Sequence, residues 1–228
     1  CAAAGWKAWH TGRGALVGSP GRRGMIVVDR RERGVRWLSA LDHAPDGAAA
    51  RALAPLGAVY AAAGAALRAL RGERALPSHP PSVAVGNLRA GGTGKTPVVH
   101  DLGRRLRARG HRVAVLSRGY RAAGGGDEPQ WLQEAGLEVF LDPDRHRSFD
   151  AARAAGASVV LLDDGLQTRA RATLRLALVL ERDLDRLPRP LPAGPGREGA
   201  AALDRADAFL VRRETHDGGT LPAHWRGK

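Results

Sequence analysis

The chain reads as an α/β protein built on a doubly wound parallel sheet, preceded by a separate apolar helix. Three features of the sequence lead there. Short apolar runs of strand length recur between residues 82 and 213, helical stretches alternate with them, and two of the runs end in residues suited to phosphate or metal. In such sheets ligands gather beyond the carboxyl ends of the strands.

The elements follow in order. "SVAVGN" (82–87) predicts a buried strand and "GGTGKT" (91–96) the turn after it. "TPVVHDLGRRLRARG" has apolar residues at helical spacing, and "HRVAVLSRG" (111–119) predicts a second strand. "GLEVFL" (136–141) predicts a third strand, "RHRSFDAARAAG" a helix and "ASVVLLDDG" (157–165) a fourth strand. "LRLALVL" (174–180) and "ADAFLVRR" (206–213) close the series, and no internal repeat is apparent.

Ahead of this domain, residues 1–45 mix Gly, Arg and Trp without a sustained period; "GMIVVDR" could form a short strand. Residues 46–78 hold a helix and a linker, and 79–228 the nucleotide-binding type of domain described below. The helix, "AAARALAPLGAVYAAAGAALRAL" (48–70), contains Pro55 and Gly57 as an expected kink or start. Its 16 residues between Arg51 and Arg68 carry no charge, which is short of the roughly 20 that span a bilayer. Two readings stand: a helix packed inside the protein, or one lying in a membrane interface between flanking arginines.

Charge narrows the function classes. The 228 residues carry a formal charge of +13, mostly from arginines scattered along the chain. That distribution fits a preference for arginine as well as it fits polyanion binding. Lysine occurs only at Lys7, Lys95 and Lys228, so Lys95 is the one lysine away from the termini. A compact ammonium on a flexible stem enters a phosphate-binding loop where a planar guanidinium fits poorly. Lys95 therefore reads as chemically required. The single cysteine, Cys1, excludes a disulfide framework and a cysteine zinc site, and suits a reducing compartment. A chain that begins with cysteine reads as an internal fragment or a misplaced start.

The two chemical motifs complete each other. Gly91, Gly92, Thr93 and Gly94 form a turn whose backbone N–H groups can face phosphate oxygens at the positive end of the next helix. Lys95 would reach the β- and γ-phosphates, and the Thr96 hydroxyl would bind Mg²⁺. The phosphate-loop pattern G-x-x-x-x-G-K-[ST] wants its first glycine where Arg89 stands, a position that mainly shapes the start of the loop. About 70 residues later "VVLLDDG" ends a strand in Asp163 and Asp164, carboxylates that can hold Mg²⁺ directly or through its water. "GGGDEP" (124–129) adds Asp127 and Glu128 beside a glycine run; it reads either as an exposed turn or as a loop bringing a base to a hydroxyl.

Several nucleotide enzymes are excluded or weakened. No Asn-Lys-x-Asp run for guanine is present. The signature lysine of partitioning ATPases is replaced by Ala90. No basic stripe with interleaved aromatics supports nucleic acid as a partner.

Taken together, "SVAVGNLRAGGTGKTPVV", "VLSRGY", "GDEP", "LLDDGLQ" and "LPAGPGRE" followed by "ALDRADAFLV" resemble, in this order, the tetraacyldisaccharide 4′-kinase family. The resemblance covers roughly residues 50–213, and upstream "LAPLGAVYAAAGAALRALRG" resembles the family's membrane-associated helix. It implies transfer of the ATP γ-phosphoryl to the 4′-hydroxyl of a tetraacyldisaccharide 1-phosphate, giving the lipid A precursor lipid IVA at the cytoplasmic face of the bacterial inner membrane. The alternative is a nucleotide-binding protein, or a degenerate relative, without lipid kinase turnover. The cofactors implied are ATP and Mg²⁺, and the partners a lipid A precursor and a membrane surface, with no nucleic acid or protein partner. By motif position Lys95 and Thr96 bind phosphates and Mg²⁺, and Asp127 activates the sugar hydroxyl. Glu128, Asp163 and Asp164 surround the metal, while Gln167 and Arg197 contact the lipid headgroup.

This chain departs from the family pattern at Thr168, where histidine is usual, and at Gly196 and Gly199, where leucine and proline are expected. The family's smaller C-terminal domain, with a histidine that assists the catalytic aspartate, has no counterpart before the chain stops near "TLPAHWRGK".

Overall fold

The computed structural model describes residues 10–11, 14–17, 24–29, 47–90, 93–118 and 127–213, and only the backbone for those before 47 and for 127–130 and 213. In chain order the strands are β1 (His10–Thr11), β2 (Gly14–Val17), β3 (Gly24–Asp29), β4 (Arg74–Ala75), β5 (Ser82–Asn87), β6 (Val113–Ser117), β7 (Glu138–Leu141), β8 (Val159–Asp163), β9 (Ala170–Arg171), β10 (Leu174–Leu180) and β11 (Ala208–Arg213). The helices are α1 (Ala48–Arg71), α2 (Lys95–Arg107), α3 (Asp127–Glu134) and α4 (Arg145–Ala154). The chain divides into two compact units, one of residues 1–67, 87–93 and 176–228, the other of residues 68–86 and 94–175.

The unit of residues 68–86 and 94–175 carries the expected parallel βα pattern. β5 pairs with β8, β8 with β6 and β6 with β7, all parallel, so the last of these strands in sequence lies between the first two. Register fixes Leu161 of β8 opposite both Val83 and Val115. A strand with parallel neighbours on both sides and cover on both faces reads as a continuous apolar run, and Val159–Leu162 are all buried. Phe149 and Ala152 of α4 enter the core with Ala84, Leu116, Val160 and Leu162. The helix begins where Asp144 caps it, accepting hydrogen bonds from the N–H groups of His146 and Arg147. The linker expected at the end of residues 46–78 contains β4, which pairs in parallel with β9.

In the other unit, β10 pairs with β11 and β11 with β3 in parallel, while β2 and β1 continue antiparallel. "GMIVVD" is thus a strand, with Ile26 in register with Leu210.

Helix α1 begins at Ala48, as expected, and Pro55 lies inside it. Of the two readings, the packed helix fails, since Ala50 and Gly57 alone among its residues are buried. Gly57 is small for a reason: a Cβ there would come within 2.9 Å of the Pro190 carbonyl oxygen. Elsewhere the apolar side chains are open, with Leu56, Val59 and Leu70 exposed to 58%, 66% and 86%.

Candidate functional site: a phosphate loop and an acidic strand end

Two glycines let the loop elements approach one another. In the unit of residues 68–86 and 94–175, the strand before the loop and the turn after β8 touch through their backbones. A Cβ on Gly86 would fall 2.3 Å from the Leu166 Cβ, and one on Gly165 would fall 2.5 Å from the Ala84 Cβ. The short 3₁₀ turn Gly165–Gln167 therefore lies directly on β5.

The acidic tip meets the start of α2. The Thr96 hydroxyl donates to Asp163 Oδ2 at 3.1 Å, with both residues buried. Asp164 Oδ1 is 3.7 Å from Lys95 Nζ. Asp164 adopts the left-handed conformation (φ 56°), uncommon outside glycine though tolerated by Asp, and its side chain makes no cap bond to the turn it opens. Helix α2 is likewise uncapped by any side chain: Gly94, at φ 89°, precedes it in the left-handed region that glycine adopts without strain. A helix start without a side-chain cap is a place where backbone N–H groups and the helix dipole suit an anion.

Arg145 was not singled out by sequence, where it is one arginine among many. It is buried, donating from Nη1 to the Asp142 carbonyl at 3.0 Å and from Nη2 to the Asp163 carbonyl at 3.4 Å. Burial, and then the neighbouring Arg118, push its pKa down to about 10, while Asp163, Asp164 and Asp142 act in the opposite direction. At neutral pH it stays charged and braces the end of the strand that carries the two carboxylates.

In the unit holding residues 87–93, the start of the loop is fastened from several sides. Asn87, fully buried, donates from Nδ2 to the Arg89 carbonyl at 3.0 Å and to the Thr93 hydroxyl at 2.6 Å. The Arg212 guanidinium donates to the Thr93 carbonyl at 3.1 Å. The Arg89 guanidinium is held on Asp183, which accounts for a long side chain at that position. The half-buried Arg197 donates its backbone N–H to the Leu88 carbonyl at 2.7 Å.

Other expected residues fall as follows. Gly91 and Gly92 lie outside the described residues. Asp127 and Glu128 do not lie in a turn: their backbone opens α3. One turn further, Trp131 stacks on His100 of α2, with ring centroids 4.1 Å apart and planes at 7°. Gln167 is half-buried at the end of its turn. Thr168 faces inward, its hydroxyl 3.0 Å from the carbonyls of Gly165 and Ala170. Asn87 carried a signal, a polar residue ending an apolar strand; Asp183 and Arg145 carried none.

Among the described residues no group of three His, Cys, Asp or Glu side chains forms a ready metal cage. Mg²⁺ does not require one, since it takes one or two carboxylates together with substrate phosphates and water. The Thr96 hydroxyl and Asp163 carboxylate, hard oxygen donors side by side at the head of an uncapped helix, fit that ion.

Comparison with known proteins gives the family. The family model "Tetraacyldisaccharide-1-P 4′-kinase" matches residues 49–225. The tetraacyldisaccharide 4′-kinase of Acidithiobacillus ferrooxidans is 44% identical over 191 residues, covering 72% of this chain and 55% of that protein. That of Halorhodospira halophila is 38% identical over 200 residues, covering 78% and 61%. The chain thus spans little more than half the length of these relatives. The crystal structure of an "apo" form of LpxK from Aquifex aeolicus in complex with ATP is similar at TM-score 0.61 and 29% identity, over 71% of this chain and 58% of that one.

Proposed function

The chain belongs to the tetraacyldisaccharide-1-P 4′-kinase family, and from that premise we propose that it transfers the ATP γ-phosphoryl to the 4′-hydroxyl of a tetraacyldisaccharide 1-phosphate. The observation that carries the reading is the meeting of Lys95 and Thr96 with Asp164 and Asp163 at the head of an uncapped helix.

Phosphoryl transfer depends on positioning and charge stabilisation more than on covalent chemistry by the protein. The backbone N–H groups of Gly91–Thr96 would hold the nucleotide phosphates, with Lys95 swinging from Asp164 to the β- and γ-oxygens. Mg²⁺, when bound, supplies charge neutralisation on the transferring group, and Thr96 and Asp163 would hold it, with Asp164 and Glu128 around it. Arg145 keeps the Asp163 backbone in place. Asp127, at the start of α3, would accept the proton of the sugar hydroxyl, and the Trp131–His100 stack ties that helix to α2. Gln167 and Arg197 would contact the headgroup of the lipid acceptor.

The acceptor is an anionic amphiphile, and α1 offers a means of meeting it. Although its uncharged stretch alone is short of a bilayer span, the whole 24-residue helix, about 36 Å at 1.5 Å per residue, is long and apolar enough to cross a membrane by length and composition, and barely buried. Arg51 on one side and Arg68 and Arg71 on the other flank its apolar stretch. We place it in or against the inner membrane, with the kinase domain on the cytoplasmic face.

The test is transfer of labelled γ-phosphate from Mg-ATP to tetraacyldisaccharide 1-phosphate in detergent micelles. Labelled lipid IVA is expected; ATP binding without labelled lipid would reduce the chain to a nucleotide-binding relative. Asp127→Asn should lower turnover far more than ATP affinity, and an equal loss in both would contradict its role as base.

A further inference from the structure

The start of the phosphate loop carries a charge pair that its glycine pattern does not require. Arg89 occupies the position of the first glycine, and its guanidinium meets Asp183 in a two-pronged contact, Nε to Oδ2 at 2.6 Å and Nη2 to Oδ1 at 2.5 Å. Both side chains are withdrawn from solvent, with 9% and 6% exposed. This fork geometry is the strong, directional form of the Arg–carboxylate contact. It also matches the charge of Arg89, so the residue serves as an anchor and not as a second phosphate-binding cation.

The backbone beside the anchor is stitched to the segment that carries Arg197. The Leu88 carbonyl accepts from the Arg197 N–H and the Ala90 N–H donates to the Pro195 carbonyl, both at 2.7 Å, while Arg89 and Gly196 form an antiparallel bridge. That segment is itself tightly folded: a Cβ on Gly196 would lie 2.7 Å from the Arg189 carbonyl oxygen and 2.8 Å from that of Pro188. From Arg89 the restraint passes through its own carbonyl to Asn87, and from Asn87 to the Thr93 hydroxyl.

We propose that Arg89 and Asp183 are a pair of positioning residues, a clamp that sets Leu88–Ala90, at the start of the phosphate loop, against the Pro195–Arg197 segment and so supports nucleotide binding. The inference rests on the reading of this loop as nucleotide-binding. Binding is stronger where the site is already held in its bound conformation, so a fixed loop start governs affinity without touching the ligand.

The test is the dissociation constant of Mg-ATP for the 228-residue chain and for Arg89→Thr/Asp183→Asn, which removes both charges and leaves neither buried alone. The double variant is expected to keep its far-UV circular dichroism and to bind Mg-ATP about 10-fold more weakly, about 1.4 kcal/mol. Asp183→Asn alone should weaken binding at least as much, so that the two substitutions are non-additive. A folded double variant with lower thermal stability but unchanged affinity would show a merely structural pair and overturn the clamp. Should the double variant not fold, Arg89→Lys keeps the charge and loses the fork, and the same two outcomes decide. A wild-type chain that binds no ATP overturns the nucleotide reading and the clamp with it; wild-type binding beside an unchanged variant overturns the clamp alone.

Discussion

Strand β8 and helix α1 are made of the same kinds of side chain and meet opposite fates. Val159, Val160, Leu161 and Leu162 are buried by strands on both sides and by helical cover, and Asp163 follows at the end of the run. In α1, with its Ala, Leu and Val, two of 24 residues are buried. Apolar composition says that a segment leaves water; the partners that its period and neighbours provide decide where it goes. β8 is held by the protein, and on our reading α1 is held by lipid.

The largest effect expected from this contrast is on the strand. Leu161→Ala, at full burial between Val83 and Val115, should lower stability by about 2–5 kcal/mol in denaturant unfolding. A loss below about 1 kcal/mol would mean that β8 is not the centre of its core. Next comes the contact that lays the Gly165–Gln167 turn on β5. Gly86→Ala would push a methyl to 2.3 Å from the Leu166 Cβ, and overpacking of this kind costs about 1–3 kcal/mol. Urea unfolding measures it, and an undiminished midpoint would show that the turn can move away freely.

The helix should behave in the opposite manner. Replacing Leu56, Val59 and Leu70 together with glutamine should shift urea stability by no more than about 0.5 kcal/mol per site. Binding to anionic lipid vesicles should fall at least about 10-fold, since burying each such side chain in an apolar phase is worth about 1.5–3 kcal/mol. A collapse of the fold instead would place those side chains against protein. The smallest effect concerns the cap of α4. Hydrogen bonds from the His146 and Arg147 N–H groups hold the Asp144 carboxyl below its ordinary pKa of 3.8. A lowered folded-state pKa stabilises fully above the ordinary value, and that stabilisation is lost as the pH falls through the lowered one. Amide exchange in the first turn of α4 should therefore quicken only in acid, and an unchanged protection pattern there would count against the cap.

Much of this arrangement was legible in the sequence, for a physical reason. β5 and β10 match their expected limits, because an apolar run closed by glycine or polar residues leaves little freedom in where a buried strand ends. The loop lysine stood out because arginine serves nearly everywhere else. The Thr96–Asp163 contact was implied by the pairing of a phosphate loop with an acidic strand end, and the structure adds the parallel β5–β8 register that brings them together. What escaped were residues whose meaning lies in a distant partner. Arg89 looked like a tolerated exception until Asp183, 94 positions away, was seen on it. Arg145 was hidden among many arginines. "GDEP" carries turn composition yet opens a helix, where Asp and Glu in the first turn suit the helix dipole.

On our reading, Lys95 and the oxygens of Thr96 and Asp163 form a Mg-ATP site. The most direct test of this is calorimetric titration of ATP, with and without Mg²⁺, into the wild-type chain and Lys95→Ala. We expect Mg²⁺-dependent binding that weakens at least about 10-fold in the variant, the equivalent of one strong charge-assisted contact. Equal affinity in both proteins, or binding indifferent to Mg²⁺, would contradict it.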